Sequence, residues 1–166
     1  MKNYKQRFLN WFDRNRDEIK DFAVTSMVFG ASNLLLHEMT HAVADIAQGG
    51  EFQGFGFDAG QASTYRIPFG DYRDNVTALA PSAYEGVAGS FLIKRGLRFK
   101  SGSYLGAGVG FFSDIPLSTV MGDIAKGAGY FAPLYSIGLI ALGLGIEKGY
   151  EYYLHRKAEK RQKWRQ

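Results

Sequence analysis

The sequence predicts a mainly α-helical membrane protein with about four spans and a small Gly-rich β-hairpin between the first and the second span. Several stretches are apolar, nearly free of charge and long enough to cross a bilayer. The Lys and Arg residues are concentrated at both ends of the chain and in one short internal segment. A segment rich in glycine, aromatic and turn residues separates the first two apolar stretches, as a hairpin would.

Four apolar stretches are candidate spans: 22–47, 75–93, 101–120 and 127–146. The first begins without charge, continues through the sequence HEMTHAVADIA as one helix, and ends at Gly49 and Gly50. The second is broken only by Glu85, and the third is interrupted at Asp114 and Pro116. The fourth is uncharged throughout and is the clearest candidate, because a small soluble domain rarely buries so apolar a helix.

The segments that flank these stretches differ in their content of Lys and Arg. Residues 1–21 contain six Lys and Arg, the 48–74 segment contains two, the 94–100 loop four and the tail from 148 seven. Loops on the cytoplasmic side of a membrane carry an excess of Lys and Arg. The distribution therefore predicts an integral membrane protein with both termini on the cytoplasmic side.

The chain is predicted to form one domain, residues 1–166, in three parts. Residues 1–21 contain an amphipathic helix, which either lies in a membrane interface or packs on its own domain. They lack the apolar region and cleavage site of a secretory signal peptide. Residues 22–146 form the apolar core and 147–166 a basic tail. The absence of cysteine excludes disulfides and thiolate metal sites. Nucleic-acid binding is not predicted, because no base-stacking aromatic pattern accompanies the basic residues.

The sequence His37-Glu38-Met39-Thr40-His41 is an HExxH motif within the first predicted span. Residues i and i+4 of a helix share one face, so His37 and His41 can hold one zinc ion. Glu38 can then act as general base toward a metal-activated water that attacks a peptide carbonyl. Ionisable groups at membrane depth are costly and therefore indicate function. Asn33, four residues before His37, is expected mainly to pack, although it could hydrogen-bond near the site.

A zinc peptidase needs a third protein ligand, and the residue pattern leaves several candidates. His155 is a poor one, because it lies in the charged tail. The metzincin spacing is excluded, since the required Gly and His positions hold alanine. Glu85 only partly matches the thermolysin-like pattern, and Asp45 lies on the same helix as both histidines. Asp114 and Asp123 remain as well.

The sequence LLLHEMTHAVADIA resembles the first core helix of the site-2 protease family of intramembrane zinc metalloproteases. In that family a hairpin or re-entrant segment often follows this helix, and the Gly-rich 49–74 segment resembles it. A later transmembrane helix supplies an Asp as third ligand, and residues 112–123 occupy its place. They lack the family's initial Asn and its Leu-Asp-Gly. The resemblance implies Asp123 as third ligand, with Asp114 as the alternative.

These observations predict zinc-dependent hydrolysis of a membrane-embedded or membrane-proximal polypeptide, with Glu38 as general base and the lipid bilayer as surroundings. The hairpin edge would pair with an unwound substrate. One alternative is a soluble or peripheral HExxH metallopeptidase that buries its apolar helix. Another is a non-catalytic membrane interaction protein that retains a structural metal site.

Overall fold

A computed structural model describes residues 2–58, 61–113, 115–120 and 122–163, and these residues are mainly helical. The elements in chain order are α1 (Lys2–Arg14), α2 (Arg16–Ala47), β1 (Phe52–Asp58), β2 (Gln61–Arg66), α3 (Tyr72–Phe99), α4 (Gly102–Phe112), α5 (Ile115–Val120), α6 (Asp123–Ala128) and α7 (Ala132–Lys163), with a 3₁₀ turn at Gly129–Phe131. The predicted mainly helical fold with one small hairpin after the first long helix is confirmed.

The N-terminal amphipathic helix ends earlier than the sequence predicts. α1 stops at Arg14, and its aromatic side chains Phe8, Trp11 and Phe12 are largely exposed. The Asn15 side chain donates a hydrogen bond to the carbonyl oxygen of Trp11, a local bond that competes with helix continuation. The remaining residues of the predicted amphipathic helix belong to α2, which runs unbroken for 32 residues.

The hairpin forms where the sequence predicts it. β1 and β2 are antiparallel and are the two strands of the one sheet in the described part of the chain. Phe52 pairs with Arg66, Phe55 pairs with Thr64, and the register shifts between Phe52 and Gly54. Gly54 has a φ of 140°, a backbone conformation that residues with a side chain rarely adopt, so glycine makes this irregularity possible.

The second predicted span, 75–93, lies within α3, which is longer than the prediction at both ends. Asp71 caps its N-terminus by accepting a hydrogen bond from the backbone N–H of Arg73. Lys100 ends it in the left-handed conformation, with a φ of 52°. Pro81 lies inside this helix and is fully buried.

The third predicted span is not one continuous helix. α4 has 11 residues, which corresponds to a length of about 16 Å and is too short to cross a bilayer. α5 adds only six residues after a break at Ser113, and Asp114 lies outside the described residues. The fourth predicted span, 127–146, is also divided. Its first residues belong to α6 and the 3₁₀ turn, and the rest belongs to α7, which continues well beyond residue 146.

Two helical segments of the described chain are long and apolar enough to cross a membrane, Arg16–Ala47 and Asp123–Arg161. The prediction of about four spans is therefore not confirmed. α3 is long enough, but it contains five residues with charged side chains at its two ends and one, Glu85, near its middle. The most apolar window of the first segment is only 6% buried within the protein, and that of the second 22%.

Glycines allow α4 to pack closely between α2 and α3. A Cβ atom at Gly106 would overlap the hydroxyl of Thr25 and the carbonyl oxygen of Phe22, both on α2. Gly102 and Gly110, one turn away in each direction, also face the backbone of α2. Three glycines at intervals of four residues form the small-residue face that lets two helix backbones approach each other.

The contacts fix the directions of the long helices. α2 and α3 are antiparallel, because Asn33 contacts Glu85 and His41 contacts Thr77. α3 and α7 are parallel, since a Cβ at Gly86 would meet Leu139 and Lys94 pairs with Glu147. The beginning of α2 and the second half of α7 therefore lie at the same end of the bundle, here called the basic end. The HExxH residues lie toward the opposite end.

Burial is inverted relative to a water-soluble protein. The buried residues with polar side chains are Asn33, Asp45, Thr77, Ser82, Glu85, Ser90, Ser136 and Glu147. Among the described residues larger than alanine, the buried apolar ones are Pro81, Ile115, Ile124 and Leu139. Large apolar side chains of α2 and α7 are instead exposed, including Met27, Leu34, Val43, Leu134, Ile137 and Leu142. An apolar solvent around these helices would account for this distribution, because it removes the drive to bury them.

Replacing Gly106 with alanine tests the close contact of α2 and α4. We expect Gly106→Ala to lower the free energy of unfolding by about 1–3 kcal/mol, because the added methyl group has no space. Gly138→Ala is the matched control: Gly138 lies within α7 with nothing within 4 Å of its Cβ position. It should be neutral or stabilise by about 0.5–1 kcal/mol. Denaturation of the detergent-solubilised protein measures both, and equal effects would contradict the packing described.

Candidate metal centre

The two histidines of the motif face each other on α2. His37 and His41 are one helical turn apart, and their ring centroids are separated by 4.9 Å. Their Nε2 atoms lie 3.2 Å apart. The HExxH spacing therefore produces the convergence of two imidazoles that the sequence predicts.

Asp123, the first residue of α6, joins the two histidines. Its Oδ2 atom lies 3.2 Å from Nε2 of His37 and 3.2 Å from Nε2 of His41. The three donor atoms thus form a nearly equilateral triangle. If zinc lies about 2.0 Å from each of its ligands in a tetrahedral site, the ligand atoms are about 3.3 Å apart. The triangle has the dimensions of three corners of such a site, so these residues could hold a metal ion.

The packing of α6 explains why Asp123 reaches the histidines. Ile124, the next residue, is fully buried in an apolar cluster with Ile115 and Ala132, against which Leu79 of α3 packs. Gly127 lets α6 lie close to α3, because a Cβ there would come within 3.0 Å of the Asn75 carbonyl oxygen. These contacts anchor the short helix with its first residue directed toward α2.

The second ring nitrogen of each histidine has an acceptor on α3. Nδ1 of His41 lies 2.8 Å from the carbonyl oxygen of Thr77, and Nδ1 of His37 lies 2.9 Å from Oε1 of Glu85. A carbonyl or carboxylate oxygen can only accept, so the tautomer that satisfies these two contacts carries its proton on Nδ1. In the neutral imidazole, Nε2 then carries a free electron pair. Two such electron pairs and a carboxylate oxygen converge on one point.

Glu38, the residue after His37 on α2, is contacted by the hairpin. The Thr64 hydroxyl is 2.8 Å from both the backbone oxygen and Oε2 of Glu38. Thr64 and Arg66 alternate with Tyr65 along β2, so both lie on the face of the hairpin directed at the helices. Arg66 donates to Asp74 of α3 and thereby holds the hairpin in place.

The contact with Arg66 changes the pKa of Asp74. The hydrogen bond from Arg66 holds the pKa of Asp74 below its usual value, against a smaller opposing effect of burial. Backbone N–H groups of Gly70 and Phe69 also donate to Asp74 and lower its pKa further. Asp74 therefore remains charged at neutral pH, and the contact between the hairpin and α3 is an ion pair.

A cleft of about 470 Å³ opens beside His41 and Asp123, two of the three candidate ligands. Its lining includes Glu38, His41, Thr64, Asp123 and Lys126. The lining residues come from α2, β2, α3 and α6, so the cleft lies between the hairpin and the helices. An extended peptide segment in it would lie within reach of both the candidate metal ligands and Glu38.

The structure brings His37, His41 and Asp123 together, and Glu38 lines the same cleft. Of the other residues considered as third ligand, Glu85 lies on the Nδ1 side of His37, away from the convergence point. Asp45 is buried, and its Oδ1 atom lies 3.5 Å from Nη1 of Arg66. The alternative ligand Asp114 lies outside the described residues. His155 is exposed on the second half of α7, as expected.

Three groups that contact His41, Glu85 or Glu38 are not evident from the sequence pattern. Asn33, expected mainly to pack, donates a hydrogen bond to Glu85 Oε1 at 2.7 Å. Thr64 gives no sequence signal, because many threonines occur in strands. The Thr77 carbonyl could have been found from Pro81, since a proline inside a helix leaves the carbonyl four residues earlier without its N–H partner.

No protein-family model, curated protein or solved structure matches the chain. The resemblance of the HExxH helix to site-2 proteases thus remains a prediction, and function has to be argued from the geometry.

Proposed function

We propose that this chain is a membrane metallopeptidase in which His37, His41 and Asp123 hold one zinc ion and Glu38 is the general base. The observation that carries the proposal is the triangle of donor atoms, with all three distances at 3.2 Å. Three electron-rich atoms so close together repel one another unless a proton or a cation lies between them. A divalent cation would satisfy all three at once.

The type of donor favours zinc. Two imidazoles and one carboxylate are a common ligand set of catalytic zinc, in which the fourth position stays open to water or substrate. Among the described residues, the donor atoms of these three converge and no fourth His, Asp or Glu joins them. When bound in such a site, zinc polarises a peptide carbonyl and makes a water molecule more acidic.

Glu38 would move the proton during hydrolysis. Its carboxylate, oriented by Thr64, takes a proton from the attacking water, and the water oxygen forms a bond to the carbonyl carbon. The carbon–nitrogen bond then breaks, and Glu38 delivers the proton to the leaving amine. The products are a carboxylic acid and an amine, and Glu38 returns to its initial state.

An extended polypeptide is the substrate form that this site favours. A helical segment hides its carbonyls in hydrogen bonds and has to unwind before attack. The described sheet has two strands, and β2 contacts Glu38 through Thr64. An unwound segment could pair with the hairpin edge while its carbonyl lies in the cleft.

Membrane insertion is supported by the inverted burial. The apolar windows of α2 and α7 are largely unburied within the protein, whereas the core helix of a soluble protein is mostly buried. The glycine contacts of α4 also suit a bilayer, where small residues and close backbone contact drive helix association. We propose four passes, counting α3 and the broken α4–α5 segment, with the basic end on the cytoplasmic side.

Extraction from membranes tests insertion. We expect the expressed protein to stay in the membrane fraction after washing with high salt and with alkaline carbonate, and to dissolve only in detergent. Apolar side chains on α2 and α7 would otherwise be exposed to water. Release into the carbonate supernatant as a folded monomer would favour the soluble or peripheral metallopeptidase instead.

Hydrolysis by a Glu38 variant tests the catalytic assignment. With fluorescein-labelled casein as an unfolded probe, we expect the zinc-loaded protein in detergent to release labelled peptides. Glu38→Gln should reduce this rate by about 10²–10⁴-fold, because general acid–base catalysis contributes about that much.

The control for this variant is Glu51→Gln, since Glu51 is an exposed carboxylate between α2 and β1. It should keep the rate of the unmodified chain. A Glu38→Gln variant that cleaves as fast as Glu51→Gln would exclude Glu38 as the base. Zinc binding without any cleavage would favour the non-catalytic membrane protein with a structural metal site.

A further inference from the structure

We infer that α3 positions both zinc-binding imidazoles through two residues one turn apart, Glu85 and Pro81. Glu85 does so directly, and Pro81 does so by leaving the Thr77 carbonyl free to accept from His41. Neither residue would touch the metal or the substrate. The inference rests on the proposed function, because it describes how the same site is oriented.

Glu85 is fully buried at the contact of α2 and α3. Its Oε1 atom accepts from His37 Nδ1 at 2.9 Å and from the Asn33 amide at 2.7 Å. Tyr84 in turn donates to Asn33 Oδ1 at 2.6 Å, so the amide is held from both sides. The chain of contacts runs from Tyr84 through Asn33 and Glu85 to His37, and it leaves the His37 ring one favoured orientation.

Among the described residues, no Lys or Arg forms an ion pair with Glu85. Among the ion pairs of the described residues, His37 is the one partner of Glu85, whereas the equally buried Glu147 pairs with Lys94 and Arg98. A buried carboxylate is costly without a compensating positive charge. A cation held by His37 would supply that charge through the imidazole, as in carboxylate–histidine–zinc arrangements.

Pro81 has the equivalent role for His41. In a regular helix the N–H of residue 81 would bond to the carbonyl of Thr77, but proline has no N–H and its ring displaces that carbonyl. The same carbonyl oxygen accepts from His41 Nδ1 at 2.8 Å. A helix-interior proline that is otherwise unfavourable thus provides an acceptor where the second imidazole needs one.

The tautomers of the histidines test this inference directly. The chain has only three histidines, so ¹⁵N-histidine labelling of the detergent-solubilised protein gives a simple spectrum. The spectra are recorded at about pH 8.5, roughly two pH units above the pKa of a free imidazole. Without metal, the unmodified chain should show His37 and His41 with the proton on Nδ1, because the Nδ1 contacts of 2.9 and 2.8 Å are shorter than the 3.2 Å from each Nε2 to Asp123 Oδ2.

Two variants should each change one histidine. Glu85→Ala removes the acceptor of His37, so we expect His37 to lose its preference for the Nδ1 proton while His41 keeps it. Pro81→Ala restores a helical N–H that competes for the Thr77 carbonyl, so His41 should change while His37 does not. Glu85→Gln retains an acceptor oxygen and should keep the His37 tautomer.

Zinc affinity, measured by competition with a chromophoric chelator, gives the second readout. Loss of a residue that orients a metal ligand typically costs about 10–100-fold in affinity, and we expect this for Glu85→Ala and Pro81→Ala. Pro81→Ala should at the same time raise the unfolding temperature, because it removes a proline from a helix interior. Weaker zinc binding by a more stable protein cannot result from unfolding.

Glu147→Ala is the matched control, since Glu147 is as fully buried as Glu85 but lies toward the basic end. It should leave both tautomers and the zinc affinity unchanged. Unchanged tautomers in Glu85→Ala and Pro81→Ala would overturn the inference even if zinc binds. If the tautomers change as expected but the unmodified chain binds no zinc, the proposed function fails and the positioning by α3 stands.

Discussion

The contact between α2 and α3 is the interaction on which the site depends. Two imidazoles one turn apart can direct their Nε2 atoms to one point only if something holds their Nδ1 atoms, and the Thr77 carbonyl and Glu85 do this. Both acceptors belong to α3, so the antiparallel packing of two helices fixes both rings. α3 also holds α6 and, through Asp74, the hairpin. One helix therefore orients the histidines, anchors the segment that presents Asp123, and keeps β2 beside Glu38.

The rest of the bundle keeps this contact in place without a large apolar core. α4 packs closely on α2 and α3 through glycines, and α7 follows α3 through Gly86, Gly143 and the Lys94–Glu147 ion pair. Such contacts rely on backbone proximity and polar pairing, which remain effective where lipid replaces water. The large side chains that would form the core of a soluble protein are directed outward.

Much of this arrangement could be predicted from the sequence, because it depends on local patterns. The HExxH spacing predicts the convergence of His37 and His41, and the Gly-rich segment predicts the hairpin. Features set by contacts between distant segments were harder to predict. The resemblance implies Asp123 rather than Asp114, but the contact of Asp123 with the histidines depends on how α6 packs on α3, which no local pattern encodes. The break at Asn15 and the division of the third apolar stretch into α4 and α5 depend on hydrogen bonds and packing that override hydropathy. Glu85, one of the candidate third ligands in the sequence, contacts Nδ1 of His37 and not the Nε2 side on which the ligand atoms converge.

The central claim is that His37, His41 and Asp123 together bind zinc. Elemental analysis of the purified full chain and of its single variants tests it most directly. We expect about one zinc per chain in the unmodified protein and in Glu38→Gln, and loss of zinc in His37→Ala, His41→Ala and Asp123→Ala. Absence of zinc from the unmodified protein would contradict the claim and leave the cluster as a polar contact within the bundle. Zinc retained by Asp123→Ala alone would contradict the assignment of the third ligand.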